Sequence, residues 1–160
     1  MEKIDERHIA IHEAGHAVIM VARSIPFEYV TIIPNKAMNN IGHVKIEDQR
    51  VTGLEMVVDN VMVLLAGNVA ESVYFNVLPR DVPGNMAGRD FEILQRNLKN
   101  ISFIESADEM ESFIYWVMGR TQVHVKKLWN VIEKVANELQ AKKTISEVEV
   151  RQLFTLHLKK

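Results

Sequence analysis

The 160-residue sequence predicts a mainly α (α+β) fold, a helical domain with a small β-sheet near its start, followed by a C-terminal helical bundle. Three observations carry this expectation. Apolar residues recur at three- and four-residue spacing through most of the chain, the β-branched runs are short and fall between residues 29 and 47, and T/S-x-x-E capping signals stand at Thr52, Ser106 and Thr144. Length and a composition of 48% hydrophobic and 25% charged residues suit one domain over residues 1–160 with a core of its own.

Each element follows from local chemistry. Asp5 is a good N-cap for a first helix running through IAIHEAGHAVIMVARS until Pro26 forbids continuation. Tyr29–Ile33, closed by Pro34, and Ile41–Glu47 read as two strands. Thr52 with Glu55 opens a second helix reaching about Phe75, with Val57, Val61, Leu64 and Leu65 facing inward. Pro79–Gly88 reads as a loop, and Asp90 to about Ile101 as a third helix buried through Phe91, Leu94 and Leu98. Ser106 with Glu109 starts one long helical stretch whose Leu128, Ile132, Val135 and Leu139 form a packing seam. Thr144 with Glu147 starts a last short helix, so the carboxy-terminal helices occupy residues 106–158.

Composition removes whole classes of chemistry. With no cysteine there is no disulfide, thiolate zinc site or cysteine nucleophile, and any metal must use His and carboxylate. A net charge of −2 with interspersed signs offers nucleic acid no basic face. No stretch approaches the roughly 18 consecutive apolar residues of a membrane span, and the amino terminus lacks the apolar segment of a signal peptide. The expectation is a cytoplasmic protein without a membrane span.

The informative segment is His12-Glu13-Ala14-Gly15-His16, an H-E-x-x-H pattern inside the first helix. Residues four apart lie on one helical face, so both imidazoles can grip one ion, Zn2+ being the natural choice. Glu13 stands beside them at the rim of that face, where a carboxylate can take a proton from water as a general base in amide hydrolysis. A third ligand must come from elsewhere. Two carboxylates are available: Glu71, which also reads as an acceptor for a ligand imidazole N–H, and Asp90, which also reads as a plain helix cap. His8 lies one turn back on the stripe of His12 and reads as a solvated or supporting histidine; His43 reads as a surface strand residue. Gly15 and Gly67, each inside a helix, suggest a close helix crossing near the site.

The segments HEAGHAV, VTIIP, LLAGNVAE and GNMAGRDFE, in this order from about Ile9 to Asp90, resemble the peptidase domain of the FtsH-type ATP-dependent zinc metalloproteases. The resemblance implies a zinc metalloendopeptidase acting on extended or unfolded polypeptides, with His12, His16 and Asp90 as ligands, Glu13 as base and Glu71 supporting the site. It also implies that Val30, Thr31, Ile32 and Ile33 form an edge strand onto which substrate adds. The chain carries no G-x-x-x-x-G-K-S/T phosphate loop. The first reading is therefore a stand-alone, ATP-independent peptidase; the alternatives are a proteolytic subunit of a separate ATPase or a homo-oligomer, and a catalytically inactive peptidase-like binding protein.

Overall fold

A computed structural model of the chain describes residues 5–34, 42–46, 53–83, 88–99 and 101–158. The elements are α1 (Glu6–Ala22), β1 (Phe27–Thr31), β2 (His43–Ile46), α2 (Leu54–Phe75), a short 3-10 turn at Pro79–Asp81, α3 (Gly88–Leu98), α4 (Ala107–Lys127), α5 (Trp129–Lys142), β3 (Thr144–Ser146) and α6 (Glu147–Leu158). The mainly helical class with a small sheet is as expected.

Helix α1 is the axis of the domain. The Asp5 side chain accepts from the His8 N–H, and every residue from His8 to Val21 is buried, because α2 and α5 flank it and β1, β2 and α6 close over it. An Arg23–Asp59 ion pair at 2.6 Å ties its end to α2. Gly15 and Gly67 mark a close crossing. A Cβ on Gly15 would lie 2.6 Å from the Ala66 carbonyl oxygen, so the backbones of α1 and α2 approach there with no room for a side chain between them.

Helix α2 is long and apolar enough to cross a membrane by length and composition, which corrects the expectation that no segment is. Most of it is buried inside the domain, as the core helix of a folded protein is. Val57, Val61 and Leu65 face inward as expected, with Leu64 half-buried. The cap differs: Gly53, at φ +86°, occupies the N-cap and provides no side-chain bond, while Thr52 lies outside the described residues.

Past Asp90 the chain departs from expectation in two places. One long carboxy-terminal helix was the prediction, but α4 and α5 break at Leu128, which lets α4 pack on α2 while α5 packs on α1. The Ser106–Glu109 capping box is present, and Leu128, Ile132, Val135 and Leu139 are all buried. The second departure is a strand where a helix start was expected. Thr144–Ser146 form β3, and the reciprocal cap of α6 uses Ser146 and Glu149 instead of Thr144 and Glu147.

That strand reorders the sheet, which runs β2-β1-β3 with both pairings antiparallel. Tyr29, Val30 and Thr31 pair with Lys45, Val44 and His43 on one side and with Ser146, Ile145 and Thr144 on the other. Ile32 donates its N–H to the Lys143 carbonyl and Ile33 to the Thr31 hydroxyl. The expected substrate edge at Val30, Thr31, Ile32 and Ile33 is therefore corrected: β1 is the central strand, its main-chain groups already used. Among the described residues the outer edge next to α1 belongs to β2.

Candidate metal centre

One face of α1 presents His8, His12 and His16 at successive turns, toward α2 and the start of α3. Asp90 sits in the first turn of α3, where the helix dipole favours a negative charge, and α3 is anchored by the buried side chains of Leu94 and Leu98. The fold thereby brings together residues far apart in sequence. His12 Nε2 lies 3.0 Å from His16 Nε2 and 3.1 Å from Asp90 Oδ2, and His16 Nε2 lies 3.3 Å from the same oxygen.

Both imidazoles are oriented from behind. His16 Nδ1 lies 2.7 Å from the Val63 carbonyl oxygen, which can only accept, so Nδ1 carries the proton and Nε2 presents its lone pair. His12 Nδ1 lies 3.0 Å from Glu71 Oε2 in a bent contact. Both atoms are buried and neither makes a hydrogen bond of good geometry, so each is the polar group the other faces across this ion-pair contact. The outcome is two nitrogen lone pairs and a carboxylate oxygen facing one point, an arrangement that repels itself unless a positive charge stands among them.

Zinc fits that point. At its usual distances, about 2.0–2.1 Å to imidazole nitrogen and about 2.0–2.2 Å to carboxylate oxygen, one ion can reach all three atoms and keep a fourth position open. Two imidazoles and one carboxylate form a donor set typical of hydrolytic zinc, and His12, His16 and Asp90 are the cluster able to hold a metal among the described residues. A Cβ at position 67 would lie 2.5 Å from His16 Nε2 and 2.7 Å from His12 Nε2, so Gly67 leaves this space open.

Without an ion, protons do the neutralising. Burial works to lower the His12 pKa, but its contacts with Asp90 and Glu71 and the charge of Glu13 prevail, and it is pushed up to about 10. His16 is raised likewise, against burial, chiefly by Asp90. Burial resists the charge on Asp90 and Glu71, yet the histidines hold both carboxyls below the ordinary carboxylate range. Glu13 goes the other way: burial pushes its carboxyl up, against the pull of His12 and His16 and with the help of Asp90 and Glu71.

Glu13 is 4% exposed and lies against the start of β2, where a Cβ on Gly42 would stand 2.8 Å from its Oε1. Asp90, with its side chain 20% exposed, is the ligand candidate nearest solvent. Of the two carboxylates left open by the residue pattern, Asp90 reaches the converging Nε2 atoms and Glu71 stands behind His12. His43 points its ring at Tyr29, 5.7 Å between centroids, and takes no part in the cluster. Sequence reasoning missed the Val63 carbonyl, which no side-chain pattern can announce, and the place of Gly42 against Glu13. It left His8 between a solvated and a supporting role, and the structure buries it on Glu71.

The chain is similar to known proteins over the same segment. The family model of peptidase family M41 matches residues 1–95, a span containing His12, Glu13, His16, Glu71 and Asp90. The ATP-dependent zinc metalloprotease FtsH of Thermotoga maritima is 29% identical over 159 residues, covering 94% of this chain and 24% of that protein. FtsH 1 of Alkaliphilus metalliredigens is 25% identical over 97% of this chain and 30% of its own length. FtsH 1 of a Thermoanaerobacter species is 28% identical over 94% of this chain and 25% of its own. The chain thus spans about a quarter to a third of the length of these relatives. With the family model matched over more than half of its length, the chain belongs to peptidase family M41.

Proposed function

We propose that the chain is a zinc-dependent endopeptidase that cleaves extended or unfolded polypeptides, with His12, His16 and Asp90 holding the ion and Glu13 acting as general base. The observation that carries this reading is the convergence of two oriented lone pairs and one carboxylate oxygen within 3.0–3.3 Å of one another, beside a buried carboxyl that is not one of them. When bound, zinc supplies a Lewis acid that polarises the scissile carbonyl and acidifies water. The protein does the rest. Glu13 takes the proton from water and passes it to the leaving amine, while the Val63 carbonyl and Glu71 keep the two imidazoles in one tautomer.

Substrate binding belongs to β2 in this proposal. Its outer edge starts at the glycine that lies against Glu13, so a peptide adding there by main-chain hydrogen bonds would pass over the base. Such binding selects an unfolded chain over a particular sequence, and an ATPase that unfolds proteins is the fitting partner. The test is metal analysis together with cleavage of unfolded casein. One zinc per chain, cleavage abolished by a chelator and restored by zinc is the expected result. A protein that holds zinc and cleaves nothing would be the peptidase-like binding protein instead.

Zinc binding should also release protons. His12 remains protonated up to about 10 in the metal-free state, whereas zinc needs its neutral Nε2, so near neutral pH at least one proton leaves for each ion bound. The apparent affinity should rise about tenfold per pH unit for each proton released. In the metal-free protein the sign is opposite for stability: the raised His12 contributes fully below its ordinary 6.5 and loses its contribution as pH rises through about 10. Calorimetric titration in two buffers of different ionisation enthalpy reads the protons directly, and a count of zero would remove His12 from the ligand set.

A further inference from the structure

The ligand set and the base leave one member of the cluster unused. His8 lies one helical turn before His12, is 5% exposed, and is held edge-on by the Phe75 ring at a centroid distance of 4.8 Å. Its Nε2 pairs with Glu71 Oε1, while the other oxygen of the same carboxylate faces His12 Nδ1. Imidazoles of α1 and carboxylates of the neighbouring helices therefore alternate along one stripe: His8, Glu71, His12, Asp90, His16.

We propose that His8 is a positioning residue for the metal centre, acting through Glu71. Resting on the zinc reading above, it explains how Glu71 is held. Glu71 is 1% exposed, so water does not fix its carboxylate, and with His12 as its only donor one oxygen would lack a partner and the group could turn about its last bond. His8 takes that oxygen. The carboxylate plane is then set from the His8 side, and Oε2 is kept facing His12 Nδ1 at 3.0 Å. His12 is thereby held with Nδ1 protonated and Nε2 toward the ion, and its basicity as a ligand is increased. His8 does not itself reach the ion: its Nε2 is turned to Glu71, and it is not among the donor atoms that converge.

The experiment measures zinc affinity by competition with a chromophoric chelator, and the absorption of the cobalt-substituted protein, for His8→Leu and His8→Gln. Each is made alone and with Glu71→Gln. Leucine keeps bulk and removes the donor, and glutamine places an N–H where Nε2 stood. The expected result is about tenfold weaker zinc binding and an altered cobalt spectrum for His8→Leu, most of both restored by His8→Gln. No further loss is expected when His8→Leu is added to Glu71→Gln. Should His8→Leu fail to fold, His8→Ser, which admits water to the carboxylate, carries the same comparison. Wild-type zinc affinity in a folded His8→Leu or His8→Ser variant overturns the proposal, as does an equal loss with and without Glu71. A wild-type protein that takes up no zinc overturns the metal-centre reading itself, and this proposal with it.

Discussion

Glu13→Gln is expected to lower kcat/KM for an unfolded or quenched-peptide substrate by about 10²–10⁴-fold, the usual contribution of a positioned general base, while zinc stays bound. Glutamine keeps the size and polarity of the side chain against Gly42 and loses only the ability to take a proton. Glu13 is not among the atoms that converge on the ion, so zinc affinity should change by no more than a few-fold. Proteolysis and metal content, measured on the same preparation, therefore separate in opposite directions. Undiminished cleavage would place the base elsewhere, and zinc loss in step with activity would make Glu13 a ligand.

His12, Glu13 and His16 were legible because their geometry is local: four residues along a helix is one turn, whatever the rest of the chain does. The choice between Glu71 and Asp90 was not legible from residue types, since both are carboxylates on helices and only the placement of α2 and α3 around α1 decides which reaches the two Nε2 atoms. The substrate edge failed for a related reason. β1 looks like an edge strand until β3 arrives from 115 residues away, three residues long and hidden under a capping pattern shifted by two positions from the real one. The break at Leu128 has no glycine or proline to announce it and falls on the first position of a continuous apolar seam. His8 carried a signal, its place on the stripe of His12, but its partner lies on another helix 63 positions away.

The same contrast separates the residues that act on an ion from those that leave room for it, and position 67 tests the second kind. Gly67→Ala is expected to cost at least about 100-fold in zinc affinity, as large as removing a partner that orients a ligand, although it deletes no donor. By helix propensity alone the change should stabilise α2 by about 1 kcal/mol. The new methyl, however, would stand 2.5 Å from His16 Nε2 and 2.6 Å from His12 Cε1, well inside contact distance. Neither ring can step aside without loss, because the Val63 carbonyl holds His16 from behind at 2.7 Å and Glu71 holds His12 at 3.0 Å. One imidazole must therefore rotate away, and the three donor atoms no longer share a point. Folding of the metal-free variant, followed by circular dichroism, should survive while zinc stoichiometry falls well below one per chain. Wild-type zinc affinity in Gly67→Ala would mean that the two imidazoles do not hold the ion in the positions described.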